Sequence, residues 1–148
     1  MTRVDILCAG KIREKFYRDA IAEYEKRLSH YIKLNILEVQ DGPDKTQEGI
    51  RMIQRIKGEP YIITLEIEGE ELSSTGLSEM MTDLENKGMS HILFVIGGPE
   101  GLDSAILNRS DHRLSFSKMT FPHPLMRVIL LEQIYRAYRI KNNEPYHK

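Results

Sequence analysis

A glycine-rich loop follows the most apolar stretch of the sequence and has the composition of a ligand-binding turn. Gly-Gly-Pro-Glu-Gly occupies residues 97–101, directly after the apolar segment 91–96. Gly97 and Gly98 carry no Cβ, so a ligand can approach their backbone closely. The loop matches neither GxGxxG nor a P-loop, because no Gly-Lys-Ser/Thr follows, and it therefore does not predict a phosphate cradle. A backbone ligand site and an ordinary tight turn both stay open.

A second segment combines apolar and hydrogen-bonding side chains in the manner of a nucleoside site. It consists of Phe116, Ser117, Lys118, Met119, Thr120 and Phe121. Apolar walls with backbone donors and acceptors suit an adenine ring and its ribose better than a sugar or a metal. A buried extension of a strand explains the same composition equally well.

His123 lies between Pro122 and Pro124, beside the segment 116–121, and is a candidate for acid–base chemistry. Its imidazole has an ordinary pKa of about 6.5, which suits a proton acceptor at neutral pH. The alternative is that His123 only stabilises the local structure through hydrogen bonds. Glu100 is a second candidate, and its alternative role is to cap a short helix after Gly101.

The remaining reactive side chains favour neither a nucleophile nor a metal site. Cys8 is the single cysteine, so a disulfide framework and a cysteine-cluster metal site are excluded, and it is interpreted as a core residue of the first strand. Glu66, Glu68, Glu70 and Glu71 alternate at a predicted strand end without histidine or aspartate companions, so we predict no metal there.

Composition predicts one soluble domain. The chain has 148 residues, of which 41% are hydrophobic and 29% charged, which is ordinary for a single domain spanning residues 1–148. No apolar run approaches the roughly 18–20 residues of a membrane span, and residues 1–10 lack the features of a signal peptide. We therefore expect a cytoplasmic protein.

The charge is distributed unevenly although the formal net charge is only −1. Residues 109–148 contain eight lysines and arginines against three acidic side chains. A basic end of this kind fits an anionic partner, and nucleic acid is the first candidate. The alternative is a solvated basic helix.

The hydrophobic periodicity predicts alternating strands and helices, and therefore an α/β fold with a mainly parallel sheet flanked by helices. The predicted strands are 4–9, 34–39, 61–67, 91–96 and 113–116, and the helices lie at 16–31, from 44 to 56, from 74 to 88 and from 122 to 140. Asp44 and Ser74 are the predicted caps of the second and third helices. Ligands bind outside the carboxyl ends of parallel strands, so the three segments 65–69, 97–102 and 116–121 should meet there.

The last helix is apolar on nearly every side of its first two turns. It carries Leu125, Met126, Val128, Ile129, Leu130 and Leu131. A helix buried all round in so small a domain needs a cover beyond the sheet. We therefore predict a homodimer through this helix.

Several long motifs resemble the RlmH family, the ribosomal RNA large-subunit methyltransferases H, formerly called YbeA proteins, within the knotted SPOUT methyltransferases. These motifs are GGPEG, LSFSKMTFPHPLMRV, LLEQIYRAYRI and the terminal NNEPYHK, in the order and spacing of that family. The likeness extends from the opening VDILCAGKIREKF through YIITLEIEGEELSS to the end of the chain.

The resemblance implies a C-terminal trefoil knot, at approximately 91–148, and a homodimer. It implies that S-adenosylmethionine binds to Leu65, Gly97 and the run 116–121, and that the backbone of Gly98 contacts it as well. The implied reaction is methylation of N3 of a pseudouridine in a stem-loop of 23S ribosomal RNA, on the assembled ribosome.

The basic C-terminal segment supplies candidate RNA contacts. Arg136 can clamp a phosphate or stabilise a developing uridine anion, Tyr146 can stack on a base, and His147 can bond to a phosphate or base. With His123, these are the predicted catalytic residues.

The rival hypothesis is a non-catalytic, ribosome-associated RNA-binding module. The intact glycine loop and the weak net charge of −1 disfavour it.

Overall fold

Five parallel strands form the central sheet of the computed structural model, which describes residues 1–146. The strands are β1 (Arg3–Ala9), β2 (Lys33–Val39), β3 (Tyr61–Glu71), β4 (His91–Ile96) and β5 (His112–Ser115). The helices are α1 (Lys15–Leu28), α2 (Lys45–Arg55), α3 (Ser74–Asn86), α4 (Ser104–Leu107) and α5 (His123–Lys141). The sheet order is β2-β1-β4-β3-β5, and every neighbouring pair is parallel. The predicted α/β class and parallel sheet are confirmed.

The central strands are apolar because helices cover both of their faces. In β1, Ile6 is opposite Ile36 of β2 and Phe94 of β4. Five of the six residues of β4 are buried. The apolar run in the sequence therefore marks the middle of the sheet.

The helices divide into two layers. Residues of β1, β3 and β4 that point to one face pack with α1, α3 and α5 into the larger core, which contains Phe94, Leu130, Leu131 and Ile134. On the other face, α2 and α4 cover a smaller cluster around Met52 and Ile106. Both faces of the sheet are thus buried within one domain.

Local capping explains where the helices begin. Asp44 caps α2 as predicted, since its side chain accepts a hydrogen bond from the Gln47 N–H at 2.9 Å. The predicted cap Ser74 is wrong: Ser73 is extended and accepts from the Gly76 N–H, whereas the Ser74 hydroxyl donates to Gln133 of α5.

The end of the chain returns from the edge of the sheet to its middle. After edge strand β5, α5 packs against α1, α3 and β4. This return path agrees with the knot that the resemblance implies, and the threading itself stays a prediction.

No helix among residues 1–146 is both long enough and apolar enough to span a membrane.

Candidate active site

A cleft of about 1110 Å³ opens at the carboxyl ends of β3, β4 and β5. Residues of all three predicted segments, 65–69, 97–102 and 116–121, line it. Eight of the predicted cofactor-binding residues line it, namely Leu65, Gly97, Gly98, Phe116, Ser117, Met119, Thr120 and Phe121. Lys118 is exposed and does not line the cleft. The structure therefore brings together all but one of these residues.

The glycine loop is a tight turn that also forms a wall of the cleft. The Gly101 N–H donates to the Gly98 carbonyl at 2.9 Å, and Gly101 has φ +82°. A Cβ on Gly97 would lie 2.5 Å from the Gly101 carbonyl oxygen. The turn itself therefore requires glycine at position 97, so the tight-turn interpretation is confirmed, and binding of a ligand to this backbone stays a prediction.

Asp103, rather than Glu100, caps the short helix after the loop. Its side chain accepts from the Ala105 N–H at 3.0 Å, because Asp103 directly precedes α4 in an extended conformation. Glu100 lies exposed in the turn and lines the cleft. The alternative role considered for Glu100 is thus filled by another residue.

Helix α2 supports the glycine loop from behind through Glu48, which the sequence analysis missed. Glu48 is only 7% exposed and accepts a hydrogen bond from the Gly42 N–H at 2.8 Å. Both of its carboxylate oxygens lie 3.2 Å from where a Cβ on Gly98 would be. The neighbouring Gly49 is equally close-packed, because its Cβ would lie 3.1 Å from Asp103 Cβ. A glycine inside a periodic helix was the available signal.

The segment 116–121 is a loop and not a continuation of β5. The Ser115 hydroxyl donates to the Ser117 carbonyl at 3.1 Å, and the Ser117 hydroxyl accepts from the Met119 N–H at 2.9 Å. Phe116 is half-buried against the core, while Met119 is 74% exposed. The loop therefore presents one anchored ring and one exposed apolar side chain beside the cleft.

A four-residue excursion of β3 supplies another wall. Leu114 of β5 pairs with both Leu65 and Glu70, so residues 66–69 leave the ladder between these two positions. A Cβ on Gly69 would lie 2.7 Å from the Arg113 carbonyl oxygen, which explains the glycine at this bend. The predicted strand 61–67 missed this excursion, because pairing with β5 resumes beyond it.

His123 begins α5 at the edge of the cleft. Burial lowers the pKa of its imidazole below the ordinary value, and the Arg127 cation lowers it further. The carboxylates of Asp41, Glu48 and Glu14 oppose this shift. The side chain is therefore predominantly neutral at pH 7, with a nitrogen able to accept a proton.

Arg136 and Tyr146 form a separate cluster toward the other end of α5. The Arg136 guanidinium lies over the Tyr146 ring, 3.7 Å from its centroid, and donates to Glu132 at 2.9 Å. The Tyr146 hydroxyl also donates to Glu132, and burial is the main cause that raises the pKa of Tyr146 to about 12. The C-terminal segment is thus packed against α5 as far as Tyr146. His147 lies outside the described residues.

The structure does not bring this cluster to the cleft of the same chain. His123 and Arg136 are thirteen positions apart on one helix, so their backbones are about 20 Å apart at 1.5 Å per residue.

Within residues 1–146, no group of three or more His, Cys, Asp or Glu side chains could hold a metal.

Sequence comparisons identify close relatives over the full length. The family model described as "Predicted SPOUT methyltransferase" matches residues 2–147. A Bifidobacterium adolescentis protein named ribosomal RNA large subunit methyltransferase H is 52% identical, and the match covers 99% of each chain.

Solved structures share the fold at low sequence identity. A Haemophilus influenzae Rd KW20 protein described as a "probable methylase family protein" gives a TM-score of 0.62 at 10% identity, covering 98% of this chain and 70% of the other. The SpoU methyltransferase AviRb of Streptomyces viridochromogenes, crystallised with AdoMet, gives 0.51 at 11% identity, covering 97% and 60%. Together with the full-length sequence matches, these findings show that the chain belongs to the SPOUT methyltransferases, within the family of the ribosomal RNA large subunit methyltransferase H proteins.

Proposed function

We propose that this protein transfers a methyl group from S-adenosylmethionine to N3 of a pseudouridine in 23S ribosomal RNA, on the assembled ribosome. The observation that carries the proposal is the cleft in which the loops after β3, β4 and β5 meet, in a chain half identical to ribosomal RNA methyltransferases.

The residues of the cleft fit S-adenosylmethionine. Leu65, Phe116 and Phe121 offer apolar surface for an adenine ring, and the backbone of the glycine loop is accessible beside them. The carboxylates in the lining belong to Glu14, Glu66, Glu68 and Glu100, against one lysine, Lys45. A predominantly acidic lining suits a ligand that carries a sulfonium cation.

Positioning is the main catalytic task of the cleft. S-adenosylmethionine supplies a methyl group whose leaving group is a neutral thioether, so the protein does not need to activate the donor. The backbone around Gly97 and residues 116–121 would orient the donor, and in-line placement of the two reacting atoms contributes several kcal/mol.

His123 is the candidate acceptor of the N3 proton. As the nitrogen forms its bond to the methyl carbon and the carbon–sulfur bond breaks, the imino proton of N3 must leave. The neutral imidazole of His123 lies at the cleft and is able to take that proton, and Arg136 is suited to stabilise the negative charge that develops on the base.

A second copy of the chain would complete the site. Arg136, on which the Tyr146 ring packs, lies about 20 Å along α5 from His123 in its own chain. Leu125, Val128 and Ile129 on the same helix remain partly exposed. An antiparallel pairing of two α5 helices would cover these side chains and place the Arg136 cluster of one subunit near the cleft of the other.

The first test is the transfer of labelled methyl groups from S-adenosylmethionine to ribosomes from a strain that lacks this protein. We expect label in the RNA of the large subunit, and nuclease mapping followed by mass spectrometry should locate it at N3 of a pseudouridine. Free 23S RNA is the matched control and should accept much less label.

Two results would contradict the proposal in different ways. If the protein binds S-adenosylmethionine but labels neither ribosomes nor subunits, the assigned RNA substrate is wrong. If it binds ribosomes but neither binds the donor nor transfers label, the non-catalytic RNA-binding module is the correct alternative.

A further inference from the structure

We propose that residues 11–18 form a second RNA-binding surface at the rim of the cleft, where the Phe16 ring stacks on an unpaired base of the substrate and Lys11 and Arg13 bind its phosphates. The inference rests on the proposed function, because it assigns part of the RNA substrate to the border of the same site.

Phe16 is an exposed aromatic side chain next to the cleft wall. It is 66% exposed, and its ring centroid lies 4.4 Å from that of Tyr17, which itself lines the cleft. Unpaired RNA bases are commonly bound by stacking on exposed aromatic rings. Phe16 therefore offers such a ring close to where the reacting base must lie.

Residues 11–18 have a net positive charge. They include Lys11, Arg13, Lys15 and Arg18 against a single carboxylate, Glu14.

Two of these cations already have partners. Lys15 forms an ion pair with Asp19, and Arg18 donates to the carbonyls of Ile12 and Arg13. Within residues 1–146, no hydrogen bond or ion pair involves the side chain of Lys11, and the same is true of Arg13. These two exposed cations are therefore the ones able to bind phosphate.

The cleft cannot supply this phosphate binding, because its lining is acidic. Its four glutamates repel an RNA backbone, whereas they suit the cationic donor. The Arg136 guanidinium, which Glu132 holds in place, is assigned to the reacting base and not to a phosphate, and Arg139 is paired with Glu144. A cationic surface outside the cleft is thus needed. Within residues 11–18, Glu14 and Tyr17 line the cleft, and Lys11 lines a neighbouring groove together with Arg18.

The segment is also held in place, as a preformed binding surface requires. The Gly10 N–H donates to the Val39 carbonyl at 2.8 Å, and the buried Arg127 of α5 donates to the Gly10 carbonyl at 3.3 Å. The Arg18 guanidinium donates to the carbonyls of Ile12 and Arg13. Little conformational entropy therefore remains to be lost there on binding RNA.

Two sets of variants test the surface. Phe16→Ala removes the ring, Phe16→Tyr preserves it, and the double variant Lys11→Gln, Arg13→Gln removes the two charges. The matched controls are Met89→Ala and Lys57→Gln, which change exposed side chains shortly before β4 and β3, at the amino ends of the strands and away from the cleft.

We expect Phe16→Ala to lower kcat/KM for ribosomes at least about fivefold, mainly through KM, while Phe16→Tyr retains activity. The Kd for S-adenosylmethionine, measured by calorimetry, should not change. The double variant should reduce the slope of log affinity for ribosomes against log salt by about two. Both controls should behave as wild type.

Unchanged ribosome kinetics in Phe16→Ala, or an unchanged salt slope in the double variant, would overturn the inference. Dissociation of a wild-type dimer by Phe16→Ala in sedimentation would also overturn it, by placing Phe16 between copies of the chain. If the wild-type protein transfers no methyl group, the proposed function fails separately. Direct ribosome binding then decides the inference: weakened binding of the variants supports the surface, and equal binding refutes it.

Discussion

At the scale of single residues, Gly97 meets a steric demand that exists before any ligand binds. A Cβ at this position would lie 2.5 Å from the Gly101 carbonyl oxygen and 3.1 Å from Leu102 Cδ2. Real Cβ atoms do not approach a backbone oxygen so closely, so any side chain must displace the turn. The proposed cofactor site should therefore be sensitive to this position through the shape of the loop.

We expect Gly97→Ala to raise the Kd for S-adenosylmethionine at least about tenfold, because the displaced turn no longer forms the wall of the cleft. Calorimetric titration measures the affinity, and circular dichroism should show a folded protein. Gly58→Ala is the control: it strains a positive-φ glycine with open space around it, in the loop before β3. Wild-type affinity in Gly97→Ala would show that the loop is not part of the cofactor site.

His123 makes a prediction about pH. Its lowered pKa keeps the imidazole neutral until the pH falls below the ordinary value of about 6.5. If the imidazole accepts the N3 proton, kcat/KM should decrease as the pH falls through this lowered pKa. His123→Gln should remove that acid limb and reduce kcat/KM by about 10²–10⁴-fold. A variant that keeps the wild-type pH profile would assign His123 a purely structural role.

At the scale of elements, α2 packs against the rear of the glycine loop, although only Lys45 of this helix lines the cleft. The buried carboxylate of Glu48 joins the backbone after β2 to the rear of the glycine loop. We propose that Glu48 is a positioning residue, which would affect the ligand through Gly98.

We expect Glu48→Ala to leave the Gly42 N–H without its partner, at a cost of about 1–3 kcal/mol, and to weaken binding of S-adenosylmethionine. Glu48→Gln keeps a hydrogen-bond acceptor and should retain most of the affinity. Gln54→Ala, an exposed change on the same helix, is the control. Thermal unfolding with and without the ligand separates stability from affinity. Equal affinity in Glu48→Ala and wild type would rule out the positioning role.

At the scale of the whole molecule, the proposed site is incomplete in one chain. The cleft and the Arg136 cluster lie toward opposite ends of α5, and the apolar side chains between them are partly exposed. A homodimer through α5 would explain both observations. The contact between the two helices would bury their apolar side chains and bring the Arg136 cluster of one subunit to the cleft of the other.

We expect Ile129→Glu to convert a dimer into monomers in analytical ultracentrifugation and to abolish methyl transfer, because a carboxylate would be buried without a partner in that interface. Ile50→Glu is the matched control, since Ile50 is 46% exposed on α2, on the other face of the sheet. A monomeric wild-type protein with full activity would refute the proposed dimer.

The sequence by itself determined the features that depend on local order along the chain. Apolar periodicity identified the five strands and the four long helices, because burial of one face repeats at a fixed spacing. The rule that ligands bind at the carboxyl ends of parallel strands predicts from the sequence that Leu65, the glycine loop and residues 116–121 meet in one cleft. The long motifs then identified the family, which periodicity alone does not specify.

Only the tertiary structure decided the contacts between residues far apart in the sequence. The support of Gly98 by Glu48 and the excursion of residues 66–69 around Leu114 depend on which elements become neighbours. Periodicity determines which face of a strand or helix is buried, but it does not specify the partner that covers it. For the same reason the sequence grouped Arg136 and Tyr146 with His123 as catalytic residues. The rise of α5 separates them by about 20 Å within one chain.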